Sequence, residues 1–562
     1  MKNKSDIIAQ SSDFSLFKIR KFIKEVVEFN IWLEFHGRYF GTWRVNIRQY
    51  FCIIGCFIIK ANLKHGVTLA LDLKNKKGYE KYFFILLFSV IYFESPLFFY
   101  VSSKLKFTKP IYFKVMKKLI YFCLLGLLMT GPVFSQQKHL SNETPQQKTE
   151  RMQWWTDARF GMFIHWGLYS EAARHEWVKN HERLTNQQYQ KYFDNFDPDH
   201  FNPKKWAKEA KAAGMKYAVL TTKHHEGFCL FDSKYTDYKA TNTPAHRDLV
   251  REFVNAFRAE GIKVGFYYSL IDWHHPDFTI DGYHPQRIDN GDSAAYAKIN
   301  KGRDMDKYRK YLFNQVRELL TNYGKIDILW LDFSYPGKFG KGHKDWHAKD
   351  LLKMIRQLQP GIIVDNRLDL NDYSDGYDFE TPEQVNANTL VKYRGKTWET
   401  CQTFSGSWGY YRDETSWKTN HQLLDLLISS VTNGGNLILN VGPTARGEFD
   451  YRAVSHLDSI AYWMHANDRA IYGCTFAPDS YQVPEGTKLS YNPKTKRLYV
   501  FLYKIPESGK LKLPGYNGKI RYAQLLNDDS ELQYKTQGED LMLDMPKVRP
   551  PYDIPVVELM LK

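Results

Sequence analysis

From Arg159 to about Gly447 the chain alternates short apolar runs with segments whose apolar residues recur every three or four positions. The runs 161–167, 217–223, 263–270, 326–332, 361–367, 377–381, 397–403 and 436–441 have the length and flanking punctuation of buried strands. Residues 248–259 gather Leu249, Val250, Phe253, Val254 and Phe257 on one helical face. Residues 305–323 do the same with Tyr308, Leu312, Val316, Leu319 and Tyr323, and stop at Gly324. Residues 351–358 and 423–431 repeat the pattern, while the gap between the sixth and seventh runs is poor in helix signal. Eight strand–helix units of this kind predict the α/β class and a TIM-like (β/α)8 barrel over residues 150–470.

The flanks have a different rhythm. Residues 142–153 are polar and read as a short linker. Beyond Tyr472 the runs 488–491, 497–503, 510–513, 520–525 and 556–561 are separated by Gly, Pro and Asn turns. They predict a small C-terminal β-sandwich over 471–562.

Composition changes the picture at one end. With 562 residues, 43% hydrophobic and 16% aromatic, the chain is neither fibrous nor disordered. The net charge of +16 suggests nucleic acid at first sight, but residues 1–115 carry +11 of it and Lys117 and Lys118 another +2. The remaining +3 makes no electrostatic case for nucleic acid. Met116 opens a pattern of its own: Lys117 and Lys118, an apolar run over 119–129, and a small-residue cleavage site ending at Ser135. This reads as a secretory signal peptide over 116–135, so the mature chain is expected to begin near Gln136 and to be exported, to a bacterial periplasm or beyond. Residues 1–115, rich in Lys, Asn, Ile, Phe and Tyr, then read as an N-terminal extension ahead of a misplaced start. Their apolar runs, 52–59 and 82–90, are too short to span a bilayer, and no stable membrane association of the mature chain is expected. Of six cysteines only Cys229, Cys401 and Cys474 lie in the body, without metal or redox spacing and without a disulfide framework.

In such a barrel the active site lies at the C-terminal ends of the strands. The ends here are polar. They offer His165; Lys223-His224-His225-Glu226; Tyr267-Tyr268-Ser269 followed by Asp272, His274 and His275; Trp330 and Asp332; Asp365-Asn366-Arg367; Asp378, Glu380 and Glu383; and Glu399. One histidine at a strand end is ordinarily a satisfied structural group, but seven polar ends converging on one mouth are harder to explain that way. Trp and Tyr beside His, Asp and Arg is the composition of a sugar pocket, in which rings cover the apolar face and polar groups bind hydroxyls. Two carboxylates are then what glycoside hydrolysis needs. A metal hydrolase is disfavoured, because His224 and His225 as regular strand residues would point to opposite faces. Neither a metal nor a cofactor is expected.

The segments 154–167, Lys223-His224-His225-Glu226-Gly227-Phe228, Trp330-Leu331-Asp332-Phe333, Trp398-Glu399-Thr400-Cys401 with Ser407-Trp408-Gly409-Tyr410, and 433–443 run in order over about residues 150–445. On these residues the sequence resembles glycoside hydrolase family 29, the α-L-fucosidases. The resemblance implies a retaining, exo-acting α-L-fucosidase that acts on fucosylated oligosaccharides or glycoconjugates through a covalent fucosyl-enzyme. It implies Asp332 as nucleophile and a fucose pocket of His165, His224, His225, Tyr268, Trp330 and Arg367, with Glu176 and Trp177 as a further wall. Tyr267 is the adjacent alternative to Tyr268. For the acid/base, Glu383 matches one placement in the family and Glu399 a second. Glu380 and Glu383 fall on opposite strand faces, and Pro382 ends the ladder, which puts Glu383 on the rim and favours it. Glu399 then reads as a group orienting Arg367 or a sugar hydroxyl. Trp330 and Trp177 are expected to form the apolar wall for the methyl of a 6-deoxy sugar. Two alternatives remain: a glycosidase on a related sugar such as a galactoside, and a catalytically inactive sugar-binding protein.

Overall fold

The computed structural model describes residues 27–35, 43–51, 68–72, 140–141, 143–337 and 339–562. Two units divide between Val133 and Phe134. In the first, β1 (Val27–Phe35) pairs antiparallel with β2 (Trp43–Phe51) on one side and β3 (Thr68–Asp72) on the other. The signal-peptide reading of 116–135 and the apolar runs 52–59 and 82–90 lie outside the described residues.

The second unit opens with a helix where a linker was expected, α1 (Pro145–Ala158). Thr144 accepts the N–H of Gln147 and the Gln147 side chain returns to the N-cap backbone, with Pro145 in the first turn. Only Met152, Trp155 and Ala158 of this helix are buried, too narrow a stripe to register as periodicity. They pack into the barrel interior with Phe163, Tyr217, Tyr267, Trp330 and Phe379.

Seven parallel strands follow: β4 (Phe160–Ile164), β5 (Tyr217–Lys223), β6 (Lys263–Ser269), β7 (Ile328–Asp332), β8 (Ile363–Val364), β9 (Glu399–Thr403) and β10 (Asn436–Val441). They stand in the order β8-β7-β6-β5-β4-β10-β9. The expected strand at 377–381 forms no regular ladder. That segment closes the ring through single parallel bridges, Asp365 to Phe379, Glu380 to Trp398 and Glu383 to Cys401. Two side chains explain the irregularity. Asp378 is turned away from the barrel mouth and accepts from Val364 N–H, Arg151 and Arg356. Pro382 supplies no ladder donor. The helix-poor gap that follows holds a 3-10 helix, Ala387–Tyr393.

Helices α2 (Pro203–Ala212), α3 (Leu249–Ala259), α4 (Met305–Asn322), α5 (Ala348–Leu358), α6 (Asn420–Val431) and α7 (Tyr451–Asn467) contribute their apolar faces to the large core outside the strands. Strand residues therefore divide by parity. Tyr267, Ile328 and Trp330 belong to the interior core, while Phe266, Tyr268, Leu329 and Leu331 belong to the outer one.

The C-terminal part carries β11 (Thr475–Phe476), β12 (Thr487–Asn492), β13 (Arg497–Leu502), β14 (Lys510–Leu513), β15 (Ile520–Leu525), β16 (Tyr534–Gln537), β17 (Asp540–Asp544) and β18 (Val556–Leu561). They form two antiparallel sheets, β11-β12-β13-β18-β15 and β14-β17-β16, over a shared core that includes Leu489, Val500, Leu513, Leu541 and Leu559. The sandwich is as expected, with β11, β16 and β17 added. Cys229, Cys401 and Cys474 are buried free thiols.

Candidate active site

A recess of about 480 Å³ opens at the C-terminal end of the barrel, and Asp332 lies in it. Asp332 is the last residue of β7 and points inward with Ile328 and Trp330. Phe333 then takes φ 84°, a strained turn for a non-glycine, and its ring meets Trp177 and His225. The Asp332 carboxylate accepts the Tyr267 hydroxyl at 2.7 Å and Arg367 Nη1 at 3.0 Å. Arg367 Nη2 donates to Glu383 at 2.6 Å, its Nε donates to Thr381 Oγ1, and its guanidinium lies 4.9 Å above the Trp330 ring. One cation thus spans two carboxylates, a buried one and one on the rim that is 40% exposed.

Neighbouring bonds set the tautomers of two histidines. Asn440 Nδ2 donates to the Trp408 carbonyl at 2.6 Å, so its Oδ1 is the acceptor for His165 Nδ1–H at 2.6 Å. Ser269 Oγ donates to the Ile271 carbonyl and accepts from His225 Nδ1–H at 2.7 Å. Burial, then the neighbouring His224, pushes both imidazoles well below the ordinary histidine range. Both are therefore neutral and keep an Nε2 lone pair; that of His225 lies 3.9 Å from Asp332. Glu176 adds another acceptor. Its Oε2 takes the N–H groups of Trp408 and Gly409 at 3.1 and 2.8 Å, while Oε1 is buried without a hydrogen-bond partner.

His224 and His225 both line the recess, their centroids 4.0 Å apart. The expectation of opposite faces fails because β5 ends at Lys223 and both histidines sit in the turn closed by Gly227, whose N–H donates to the His224 carbonyl. Glu226 lies 3.3 Å from His224 Nδ1. Among the described residues no group of three or more His, Cys, Asp and Glu is arranged to hold a metal ion.

Two expected positions differ. Tyr268 is outside the pocket: it belongs to the outer core, and its hydroxyl donates to Gln315 on α4 at 2.9 Å. Tyr267 takes the inward place. Glu399, at the first position of β9, lies deep in the barrel below the recess, where it accepts from the Tyr217 hydroxyl and from Trp330 Nε1. It supports the Trp330 ring of the recess lining from behind and is not itself part of that lining. Burial pushes its carboxyl up to about 7. Glu380 points outward to Lys396 at 3.0 Å. Of the expected site residues, His165, Glu176, Trp177, His224, His225, Trp330, Asp332, Arg367 and Glu383 share one recess.

Rings line the recess on all sides, and His224 joins the Phe163 set to the Trp177 set. Phe163 meets His165, Tyr267, Trp330 and Trp408 at 4.6, 5.9, 5.2 and 6.1 Å. Trp177 meets His225, Trp273 and Phe333 at 5.4, 5.2 and 5.6 Å. Trp330 and Trp177 line the same recess, linked through Tyr267, His224 and His225. Phe163 and Trp408 received no site role from the sequence. Phe163 was legible by its even spacing to His165, which places both side chains on the inner face.

A parallel barrel that gathers an arginine between two carboxylates, neutral imidazole acceptors and aromatic walls around one recess at its C-terminal end defines a class, the glycoside hydrolases. A family model described as alpha-L-fucosidase matches residues 127–469, and the chain belongs to that family. It is 30% identical over 428 residues to the tissue α-L-fucosidase of Bos taurus, covering 71% of this chain and 85% of that protein. Among solved structures, α-L-fucosidase isoenzyme 1 from Paenibacillus thiaminolyticus is 44% identical with a TM-score of 0.67, over 74% of this chain and 99% of that one. A family 29 α-L-fucosidase from Bacteroides thetaiotaomicron, trapped as a covalent intermediate with 2-fluoro-fucosyl fluoride, is 29% identical with a TM-score of 0.64, over 75% and 97%.

Proposed function

We propose that the protein is a retaining, exo-acting α-L-fucosidase with Asp332 as nucleophile and Glu383 as acid/base. The observation that carries this reading is the Arg367 bridge, which holds a buried carboxylate beside one on the rim of the recess. A retaining mechanism needs the two carboxyl groups about 5–5.5 Å apart, which a shared guanidinium accommodates. An Asp332 oxygen bonds to the anomeric carbon as the glycosidic C–O bond breaks, and the leaving oxygen takes the proton of Glu383. Glu383 then takes a proton from water, whose oxygen displaces Asp332 from the same carbon. Tyr267 and Arg367 hold Asp332 in place. His165, His225 and Glu176 offer acceptors to sugar hydroxyls, and the Phe163, Trp330 and Trp408 rings offer an apolar seat for the C5 methyl. A hydroxymethyl there would bury a polar group without a partner.

The test is turnover of an aryl α-L-fucoside beside the matching aryl galactosides, with 2-fluoro-fucosyl fluoride as label. Turnover of the fucoside and a single fluorofucosyl group on the peptide containing Asp332 are expected. Equal turnover of a galactoside, or a label elsewhere, would overturn the assignment.

We also propose that the chain is exported, with 116–135 as its signal peptide and 1–115 absent from the mature protein. The charged start, short apolar run and cleavage pattern support the signal peptide, and the family match, which begins at residue 127, leaves residues 1–115 outside it.

A further inference from the structure

We propose that Glu226, which stands behind the recess lining, is a positioning residue for His224: it selects the ring flip and tautomer that turn Nε2 of His224 to the recess as the acceptor of one sugar hydroxyl. The inference rests on the fucosidase reading of the recess. Both residues sit in the turn that Gly227 closes, and Nδ1 of His224 lies 3.3 Å from Oε2 of Glu226. Packing fixes the plane of the imidazole. Tyr267 stacks on it at 5.6 Å and 19°, while Tyr169 and His165 meet it edge-on at 5.3 and 5.6 Å. Packing does not fix the flip, because a half-turn of the ring exchanges nitrogen and carbon of nearly equal size. Only a polar partner chooses, and the nitrogen it takes decides what the other one presents. His165 and His225 are set by neutral oxygens, Asn440 Oδ1 and Ser269 Oγ. His224 is set by a carboxylate, which takes the Nδ1 side and leaves Nε2 for the recess that the ring lines.

The Glu226 carboxylate is otherwise uncommitted. It is 1% exposed, and neither oxygen makes a hydrogen bond to any other group among the described residues. It is pressed beneath the turn after β4, where a Cβ on Gly167 would stand 2.7 Å from Oε1. A carboxylate buried in this way costs more than an apolar side chain of the same size, so packing gives no reason for it. The tyrosines around it, Tyr169, Tyr189 and Tyr238, are kept neutral: burial, then Glu226 itself, pushes each well above the ordinary phenol range. Lys179 is the buried cation of the surroundings, its ammonium 4.9 Å over the Tyr189 ring. Burial pushes its pKa down to about 8, against the pull of Asp272 and then Glu226. Asp272 is taken by Lys223 at 3.2 Å and by the N–H groups of His274 and His275. That leaves the charge of Glu226 to Lys179 and to the Nδ1–H of His224.

The experiment measures kcat/KM of the full-length enzyme and of its Glu226→Leu, Glu226→Met and Glu226→Gln variants. The substrates are an aryl α-L-fucoside and its 2-deoxy, 3-deoxy and 4-deoxy analogues. Leucine and methionine side chains fill the space without an acceptor, whereas a glutamine amide oxygen still accepts Nδ1–H. Glu226→Leu and Glu226→Met should lose at least about tenfold on the parent fucoside, and Glu226→Gln no more than about threefold. One deoxy analogue, the one without the hydroxyl that Nε2 accepts, should lose less than about twofold in every variant relative to wild type on the same analogue. Equal losses on all four substrates would overturn the proposal. So would full activity of Glu226→Leu and Glu226→Met, or a Glu226→Gln variant as weak as those two. Thermal unfolding covers the structural alternative: a set in which only Glu226→Gln folds would assign Glu226 to the fold and overturn the proposal as well. A wild-type enzyme that does not turn over the aryl fucoside at all would instead sink the fucosidase reading beneath it.

Discussion

Glu383 and Glu399 show how environment separates residues of one type. Glu383 sits on the rim, paired with Arg367; Glu399 is sealed below Trp330 with two donors and no cation against it. Glu383→Ala should lose far more activity on a natural fucosyl-sugar than on an activated aryl fucoside, because protonation matters most for a poor leaving group. Azide should partly restore the aryl rate and yield a fucosyl azide of retained configuration. Azide rescue of a Glu399 variant instead would move the acid/base role to Glu399. Glu399→Gln should speak through stability. The carboxyl is raised from 4.5 to about 7 in the folded chain, so the native state holds its proton more tightly than the unfolded one. Its contribution is complete below about pH 4.5 and is lost as pH rises through 7. Gln cannot ionise. The urea midpoint of Glu399→Gln relative to wild type should therefore climb between pH 4.5 and 8, and a difference independent of pH would refute the burial argument.

At the scale of elements, the weak point of the barrel is also where the rim carboxylate is hung. Segment 377–383 has only single bridges to its neighbours, so its position depends on Asp378, which is 3% exposed and faces Arg151 and Arg356. Asp378→Asn keeps the shape and leaves two guanidinium groups against an amide. Breaking a buried pair in this way costs roughly 3–5 kcal/mol. The loss should appear in urea unfolding and, because Glu383 rides on the same segment, in kcat on natural substrates. An unchanged unfolding midpoint would show that the ring closes by other means. The tyrosines of β6 belong to this scale too. Tyr267 and Tyr268 are chemically identical, and only the strand's parity sends one to Asp332 and the other to Gln315.

For the whole molecule, barrel and sandwich make one unit and residues up to Val133 another. A chain begun at Gln136 should match the full-length protein in melting temperature and in kcat/KM on an aryl fucoside. N-terminal sequencing of the native exported protein should start near Gln136. A mature chain that retains residues from 1–115, or a truncated chain that fails to fold, would reject the processing proposal.

The sequence by itself determined the order and kind of the barrel elements, the change to short antiparallel strands after Tyr472, and the motif residues that reach the recess. These follow from local signals: apolar run length, helical spacing, turn residues and the strand-end position of Asp332. Tertiary structure decided which face is which. Strands of a parallel barrel are apolar on both sides, so no polar alternation set the phase of β6, and Tyr267 could not be told from Tyr268. It decided among the three glutamates, because depth in the barrel depends on how 377–383 docks between β8 and β9. It turned a polar stretch into α1, whose three buried residues matter only once a barrel floor exists to receive them.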